Sequence, residues 1–261
     1  MALPQPNDGF AWTQAPWGAV LRCRPLLAVA DHFFTAATVE LRDDRGEWHA
    51  VAREIGVEDD RVLLLRQIHG ATVAVAGRGR ASPWTRPDAD VAVSDDPTSA
   101  IAVRVADCAP VLLGDRRLGV VAAAHAGWRG TVRGAASAAV RAMRDSFGSD
   151  PADLIAAIGP CLGVCCGEVG PDVLAAFRDA GHSSDALDRW FTPGAGDRFY
   201  LDLPLANRDQ VEASGVPGGQ IHVAGLCTKT FADIFHSYRG AKERAGRMVG
   251  IIRANAKNAD C

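Results

Sequence analysis

The stretch 118–130, Leu-Gly-Val-Val-Ala-Ala-Ala-His-Ala-Gly-Trp-Arg-Gly, joins an apolar run to a glycine-flanked turn. Its first part, 118–124, shows no polar alternation, which predicts a strand buried on both faces. The segment 132–147 then repeats apolar side chains every three to four residues. This period predicts an amphipathic helix with Thr131 as its N-cap and Gly148 at its C-terminus. A buried strand followed by such a helix indicates a sheet covered by helices.

Strand-like and helix-like segments surround this stretch without regular alternation. Strands are predicted at 62–65, 72–75, 100–105, 111–113, 154–158, 221–224 and 248–252, and helices at 47–55, 172–180 and 205–214. Irregular mixing of the two kinds of element is typical of an α+β fold rather than of a doubly wound sheet. We therefore expect an α+β fold in one domain.

The composition excludes several classes of protein. The 261 residues are 48% hydrophobic and 23% charged, which excludes a disordered or fibrous chain. With 28 basic and 31 acidic residues the formal net charge is −3, so nucleic acid is not an expected partner. No signal peptide is recognisable, and no apolar run approaches the roughly 18 residues of a membrane span. We expect a cytoplasmic monomer or small homo-oligomer without a membrane partner.

The cysteines indicate reduced thiols. Seven are present, and an odd number in a chain of this type argues against a disulfide framework. No Cys-x-x-Cys pair occurs, which excludes zinc-ribbon and thioredoxin patterns. The run 161–166, Cys-Leu-Gly-Val-Cys-Cys, could form a redox cluster, although buried thiols in a tight turn are the simpler interpretation.

Three segments end an apolar run with a potential metal ligand beside a glycine or a turn. These ligands are His69, Cys108 and His125. Two imidazoles and one thiolate make a three-ligand site with a fourth position open to water, which is the arrangement of catalytic zinc. The same donors suit copper. Because spacings of 39 and 17 residues match no short metal motif, three separately packed residues are the alternative.

The turn that follows has features of an anion site. Gly127 and Gly130 flank a predicted helix start, whose free amide groups favour negative charge. Arg129 lies between them and is predicted to bind phosphate through two hydrogen bonds. The alternative is a glycine turn with a surface arginine.

Nearby carboxylates fall into two groups. Asp107 directly precedes Cys108, and metal-bound imidazoles usually donate their second N–H to a carboxylate or carbonyl. Asp107 is therefore predicted to orient a ligand, and it is also a predicted substrate or phosphate contact together with Arg129. Turn-like surroundings predict turn residues at Asp88, Asp90, Asp95 and Asp96.

Several motifs occur together in a fixed order. They are 67–70 (Gln-Ile-His-Gly), 106–111 (Ala-Asp-Cys-Ala-Pro-Val), 125–130 (His-Ala-Gly-Trp-Arg-Gly), 158–161 (Ile-Gly-Pro-Cys), 227–228 (Cys-Thr), 235–239 and 246–248. With these motifs the chain resembles the YfiH-like laccase-domain proteins over roughly residues 62–253. That family is described as purine nucleoside phosphorylases and was earlier described as multicopper polyphenol oxidoreductases.

The resemblance implies a catalytic zinc held by His69, Cys108 and His125, and a layered α/β/β/α fold with mixed sheets. It implies one catalytic domain over 1–261, in which 1–61 is the most divergent part. The implied activities are phosphorolysis of adenosine, inosine and 5'-methylthioadenosine, together with hydrolytic deamination of adenosine. Purine nucleosides and phosphate are then the small-molecule partners.

The chain departs from the family pattern at two positions. Relatives usually carry Thr-Arg-x-Gly-Gly-Val-Ser after an N-terminal phenylalanine, whereas Phe34 is followed by Thr-Ala-Ala-Thr-Val-Glu. The family tyrosine after the cysteine pair is replaced by Gly167. If the missing arginine contacts phosphate in relatives, we expect another donor or another substrate here.

Three other functions are compatible with the same residues. In a metal-free cysteine hydrolase, Cys108 would be the nucleophile and His125 or His69 the base. Its substrate would be a peptidoglycan precursor, since some relatives are described as peptidoglycan-editing factors. Copper-dependent polyphenol oxidation is less favoured, because one mononuclear site falls short of the several coppers that four-electron reduction of oxygen needs. The third alternative is a catalytically silent nucleoside-binding protein that keeps the metal.

Overall fold

The computed structural model describes residues 2–42, 45–77 and 86–255, and the C-terminal Cys261 lies outside them. The described strands are Phe10–Ala15 (β1), Gly18–Cys23 (β2), Ala30–Thr35 (β3), Val62–Leu64 (β4), Val73–Val75 (β5), Val91–Ser94 (β6), Ala100–Val105 (β7), Ala109–Asp115 (β8), Val121–Ala126 (β9), Leu154–Ile158 (β10), Glu168–Val169 (β11), Phe191–Pro193 (β12), Phe199–Leu201 (β13), Ile221–Val223 (β14) and Met248–Ala254 (β15). The described α-helices are Arg24–Leu27 (α1), Arg45–Ile55 (α2), Trp128–Val132 (α3), Ala135–Phe147 (α4), Pro171–Asp179 (α5), Ser184–Trp190 (α6), Leu203–Ala213 (α7) and Tyr238–Ala241 (α8).

Two six-stranded mixed sheets pack face to face. The first sheet has the order β1-β2-β3-β15-β7-β4 and the second has the order β14-β10-β8-β9-β6-β5. Helix α2 covers the outer face of the first sheet, and α4 and α7 cover the outer face of the second. A three-stranded sheet, β11-β13-β12, lies beside them. The layered α/β/β/α arrangement implied by the family resemblance is confirmed.

Strands β9 and β15 show why the apolar runs are continuous. In β15, Val249 and Ile251 pack against α2, whereas Met248 and Ile252 pack between the two sheets. Successive side chains of a strand point to opposite faces, so a strand with both faces covered needs apolar residues at every position. Strand β9 follows the same rule, which confirms the prediction of a buried strand, although it begins at Val121.

The predicted helix 132–147 is divided into two. Gly134 adopts a left-handed conformation with φ of 71° between α3 and α4, so the chain turns before the long helix begins. Thr131 is therefore not an N-cap, and that prediction is wrong. It lies buried inside α3, and its hydroxyl donates to the carbonyl of Gly127 at 3.0 Å. Gly148 ends α4 with φ of 77°, as predicted.

Two connections from the first sheet to the second lie at one end of the sheet pair. Residues 65–72 connect β4 to β5, and residues 106–108 connect β7 to β8. Strands β4 and β7 are parallel, so both leave the first sheet at the same end. Strand β9 ends there as well, because it is antiparallel to β8.

Within the described ranges, no helix combines the length and apolar character needed to cross a membrane.

Candidate active site and metal centre

The sheet connections bring together His69, Cys108 and His125, which we call the ligand triad. Cys108 immediately precedes β8, and His125 lies opposite Pro110 in the β8–β9 pair. His69 lies on the connection from β4 to β5. One potential donor atom from each of the three side chains lies within 4.8 Å of the other two, and the centres of the two imidazole rings are 4.9 Å apart. The structure therefore places the three predicted ligands in one group.

Asp90, directly before β6, binds the imidazole of His125 and the backbone of the loop that carries His69. Its fully buried carboxylate accepts hydrogen bonds from the backbone amides of Ile68 (3.2 Å), His69 (3.0 Å) and Gly70 (2.6 Å). It also accepts a hydrogen bond from Nδ1 of His125 at 2.8 Å. That bond leaves Nε2 of His125 for another partner. One carboxylate thus fixes the loop of one ligand and the ring of the other, as in many metal sites.

Gly127 provides the space in which the thiol of Cys108 lies. A Cβ atom at Gly127 would be 2.5 Å from Sγ of Cys108 and 3.6 Å from Cδ2 of His69. A side chain at position 127 would occupy the space in which the sulfur of Cys108 lies. With two imidazoles and one sulfur converging beside this space, the residues fit a zinc or copper ion.

The electrostatics of the triad favour charged forms. Burial raises the pKa of the Cys108 thiol, but the neighbouring His125 and His69 more than offset it and lower the pKa to about 6. Burial lowers the pKa of His125, but the thiolate of Cys108 and the carboxylate of Asp90 more than offset it and raise the pKa to about 9. Burial also raises the pKa of Asp90, yet His125 and the amides of Gly70 and His69 lower it below its usual value. The metal-free site thus favours the thiolate form of Cys108, which is the form that binds a metal, whereas His125 binds a metal only in its neutral form.

The ligand triad lies in a cleft of about 820 Å³. Seven described side chains with positive charge line this cleft: Arg42, Arg66, Arg104, Arg129, Arg239, Lys242 and Arg247. Among the described lining residues, Asp107 supplies the one carboxylate. Arg66 is paired with the carboxylate of Asp88, but basic side chains still outnumber acidic ones in the described lining. A cleft of one sign attracts ligands of the other sign, here anions.

Three of these arginines form a wall next to the first sheet, which we call the arginine wall: Arg42, Arg104 and Arg247. Arg42 donates to the backbone carbonyls of Glu243 (3.0 Å) and Ala245 (2.8 Å). Arg247 donates to the carbonyl of Ala245 (2.9 Å), and Arg104 donates to the carbonyl of Arg42 (3.1 Å). Backbone carbonyls thus orient these guanidinium groups, and the carboxylate of Glu40 lies 3.9 Å from Nε of Arg42.

The cleft also concentrates unusual backbone conformations. Among the described residues, four that are not glycine have a positive φ: Leu41, His69, Asp107 and Lys242. The last three line the cleft. Such conformations cost on the order of 1–3 kcal/mol each and persist where surrounding contacts fix them. At His69, the hydrogen bonds to Asp90 do so.

Asp107 does not orient a ligand of the triad, and that prediction is wrong. Its Oδ1 accepts a hydrogen bond from the hydroxyl of Thr228 at 2.6 Å, and its Oδ2 accepts one from the backbone amide of Arg239 at 2.5 Å. These bonds stabilise the positive φ of 85° at Asp107 and so the turn that presents Cys108. The orienting carboxylate is Asp90, which lies at a bend directly before β6 and which the sequence marked only as a turn residue.

Arg129 lies in the cleft lining, but not at the start of a long helix. Helix α3 has five residues and begins after Gly127, without a side-chain cap. The guanidinium of Arg129 lies over the indole ring of Trp128, 4.2 Å from its centre. The charge of this arginine, held on an aromatic face, is therefore the feature available to an anion.

One of the two departures from the family pattern, Gly167, lines the cleft. A Cβ atom at Gly167 would lie 2.5 Å from the carbonyl oxygen of Leu201, so the neighbouring backbone leaves no room for a side chain at this position. The amide of Leu201 donates to the carbonyl of Gly167 at 2.9 Å. The segment after Phe34 lacks the family arginine, but Arg42 at its end lines the cleft. The arginine wall thus offers other donors.

The sequence pattern missed Asp90 and the arginine wall. The one available signal for Asp90 is that a charged residue directly precedes the apolar run 91–93. The three arginines of the wall come from separate parts of the chain, and only the packing of the first sheet brings them together. No local motif marks them.

Residues 43–255 match the family model described as multi-copper polyphenol oxidoreductase laccase. The chain belongs to this family. The predicted family resemblance is therefore confirmed, and two of the relatives named below carry the names of enzymes.

A purine nucleoside phosphorylase of Deinococcus radiodurans is 39% identical over 207 residues, which cover 77% of this chain and 74% of the relative. Adenosine deaminase RL5, from an unknown prokaryotic organism, is 36% identical over 211 residues, or 78% of this chain and 79% of the relative. The crystal structure of the hypothetical protein YfiH from Bacillus licheniformis matches with a TM-score of 0.84 at 26% identity, covering 95% of this chain and 100% of that chain.

Proposed function

We propose that this protein is a zinc-dependent purine nucleoside phosphorylase that acts on adenosine, inosine and 5'-methylthioadenosine and also deaminates adenosine. The observation that carries the proposal is the position of the ligand triad inside a cleft lined by seven cationic side chains. A ligand set for a transition metal and an excess of positive charge share one cavity. Relatives named for both activities support the proposal.

The residues that would hold zinc are His69, Cys108 and His125, with Asp90 fixing the ligands. Two nitrogens and one sulfur leave a fourth position for water or substrate. When bound, zinc supplies Lewis-acid chemistry and lowers the pKa of a coordinated water toward about 7. Copper suits the same donors, and metal analysis of the purified protein distinguishes the two ions.

In phosphorolysis, a phosphate oxygen bonds to C1' of the ribose while the bond from C1' to the purine nitrogen breaks. The purine leaves with the electron pair and takes up a proton. Arg129 and the arginine wall bind the phosphate and hold it in line with C1', because guanidinium groups bind phosphate in a fixed, two-bonded geometry. The apolar side chains of the cleft pack against the purine and exclude water: Leu162, Val169, Leu201 and Leu203.

In deamination, the oxygen of water replaces the 6-amino group of adenosine and ammonia leaves. This reaction needs no phosphate. In this proposal both activities use the ligand triad. Only phosphorolysis also uses the cationic side chains that bind phosphate. The two reactions report separately on the two halves of the site.

We further propose that 1–261 act as one catalytic domain with purine nucleosides and phosphate as its small-molecule partners. Arg104 of the first sheet and His125 of the second sheet line the same cleft. Each sheet supplies only part of the site, so separation of the sheets would divide it.

The direct test incubates zinc-loaded protein with adenosine, with and without phosphate, and resolves the products by chromatography. We expect adenine only with phosphate and inosine in both buffers. Inosine and 5'-methylthioadenosine should each give a free purine base with phosphate. The absence of any product from all three nucleosides, in protein that holds zinc, would contradict the proposal. If the nucleosides still bound, the protein would be a silent nucleoside-binding protein.

A cysteine-type hydrolase that edits a peptidoglycan precursor is the second candidate. Its support is that the sulfur of Cys108 lies within 4.8 Å of a ring nitrogen of both His125 and His69, as a nucleophile lies near its base. Alkylation of Cys108 by iodoacetamide separates the candidates. The phosphorylase proposal expects zinc to protect the thiol, whereas hydrolysis of the precursor by zinc-free protein would favour the hydrolase.

A further inference from the structure

A second group of thiols lies beside the cleft, which we call the thiol cluster: Cys165, Cys166 and Cys227. Their sulfur atoms all lie within 4.8 Å of one another. Cys165 is exposed, Cys166 is partly buried and Cys227 is buried. Two of the three thiols come from the predicted redox run 161–166, and the third comes from a separate part of the chain.

The main chain fixes the two segments that carry the thiol cluster. The amide of Cys161 donates to the carbonyl of Leu226 at 3.3 Å, and the amide of Thr228 donates to the carbonyl of Cys161 at 3.0 Å. These bonds form a parallel bridge between Cys161 and Cys227. The thiols are therefore brought together by backbone pairing and not by contacts among the side chains themselves.

A hydroxyl group and a tight turn lie against the sulfurs of the thiol cluster. The hydroxyl oxygen of Thr230 lies 3.3 Å from Sγ of Cys165 and 3.6 Å from Sγ of Cys166. A Cβ atom at Gly163 would lie 3.6 Å from the sulfurs of Cys165 and Cys227, so the turn approaches the cluster closely. The cluster therefore has an oxygen atom beside two of its three sulfurs.

We propose that the thiol cluster binds one thiophilic cation, Zn²⁺ or Cu⁺, with the Thr230 hydroxyl or a water as a further ligand. Three thiolates are the donors that these two cations prefer. Sulfurs that share a tetrahedral zinc at a bond length of about 2.3 Å lie roughly 3.8 Å apart. Closure of the cluster around an ion therefore needs movements of roughly 1 Å or less. This second site is independent of the ligand triad.

The position of the thiol cluster gives the bound cation a structural role in the cleft. Arg239, which lines the cleft, donates to the backbone carbonyl of Cys166 at 3.1 Å and to that of Glu168 at 2.8 Å. Gly167, between them, also lines the cleft. A cation bound by Cys166 would fix this part of the cleft wall.

The test counts metal ions per chain in full-length protein that is prepared without oxygen, in a phosphine reductant, and reconstituted with Zn²⁺ or with Cu⁺. We expect two zinc ions in the unaltered protein and one each in Cys165→Ser and Cys108→Ala. The double variant should bind none. Cys23→Ala, which removes a buried thiol outside both groups, is the matched control and should keep two. Competition between the two cations in Cys108→Ala identifies which one the cluster prefers.

A spectroscopic readout keeps the test valid if a variant folds poorly. Cys108→Ala loaded with Co²⁺ should show strong sulfur-to-cobalt charge-transfer absorption from three thiolates, and further replacement of Cys227 by serine should abolish it. One zinc per chain in the unaltered protein, unchanged in Cys165→Ser, would overturn the proposal. Two fewer reactive thiols than cysteines in metal-free protein prepared without oxygen and without added reductant would also overturn it, because the cluster would then hold a disulfide. Neither result depends on nucleoside turnover.

Discussion

The ligand triad and the thiol cluster both bring three donor atoms within 4.8 Å, but they are held in different ways. Asp90 positions the imidazole of His125 and the backbone of His69, and the triad opens onto the cleft. The Thr230 hydroxyl and the close turn at Gly163 lie against the sulfurs of the cluster. An imidazole must be rotated correctly to offer one nitrogen, and a hydrogen bond from its other nitrogen, as from His125 to Asp90, fixes that rotation. A thiol sulfur has no ring that must be rotated correctly, so weak hydrogen-bond donors around it are enough to position it. The comparison associates the triad with chemistry and the cluster with structure.

The largest expected effect comes from Cys108→Ala. Loss of a ligand should lower kcat/KM for phosphorolysis and for deamination by more than about 100-fold, beyond the usual cost of losing an outer partner. One zinc should be lost, and the cation of the thiol cluster should remain. Full activity in a Cys108→Ala protein whose triad holds no zinc would show that the triad is not needed for the chemistry.

Two glycine substitutions compare the packing of the groups directly. Gly127→Ala places a Cβ 2.5 Å from the Cys108 sulfur, whereas Gly163→Ala places one 3.2 Å from Cβ of Cys227. The first must displace a ligand by a substantial fraction of an ångström and should lower kcat/KM about 100-fold. The second should change kcat/KM less than about threefold. Steady-state kinetics and metal content of the two variants check this, and equal effects would contradict it.

Asp90→Asn tests whether the carboxylate distinguishes the triad. Asparagine has the same size as aspartate, but only one of its two terminal atoms accepts hydrogen bonds. The three backbone amides and His125 now share two accepting oxygens of Asp90. Zinc affinity of the triad should fall about 10- to 100-fold, measured by competition with a chromophoric chelator. Asp96→Asn is the matched control, because Asp96 also accepts hydrogen bonds near β6, from Thr98 and Ser99, away from the triad. Unchanged affinity in Asp90→Asn would refute the role of Asp90.

The smallest expected effect, and the most selective, comes from Arg129→Ala. Loss of a charged hydrogen bond to phosphate should raise the KM for phosphate about tenfold. Deamination of adenosine should stay within about twofold, because it uses no phosphate. Arg141→Ala, on the exposed side of α4, is the control and should change neither reaction. Equal losses in both reactions would show that Arg129 acts on the triad and not on phosphate.

The sequence predicted those parts of the molecule that depend on local pattern. A run without polar residues identified β9, because both of its faces are buried, and the apolar period and Gly148 identified α4. The break at Gly134 was missed, because a glycine within a helical period shows its left-handed conformation only in three dimensions. The donor types of the triad were also readable from the sequence.

The partners of the triad were not readable, for a physical reason. Asp90 reaches His125 only because β6 pairs with β9, and it reaches the loop of His69 only because the chain crosses between the sheets there. Asp107 is nearer in sequence to a ligand but is bound to Thr228 and Arg239. Proximity along the chain therefore gave the wrong carboxylate, and strand pairing determines the right one.

The most direct test of the account is a zinc titration of metal-free Cys165→Ser protein, in which the ligand triad is intact. Phosphorolysis of adenosine is measured after each addition. We predict that activity rises in proportion to zinc up to one ion per chain and then stays constant. Full activity without zinc, or no activity once the triad is filled, would contradict the claim that this triad supports nucleoside phosphorolysis.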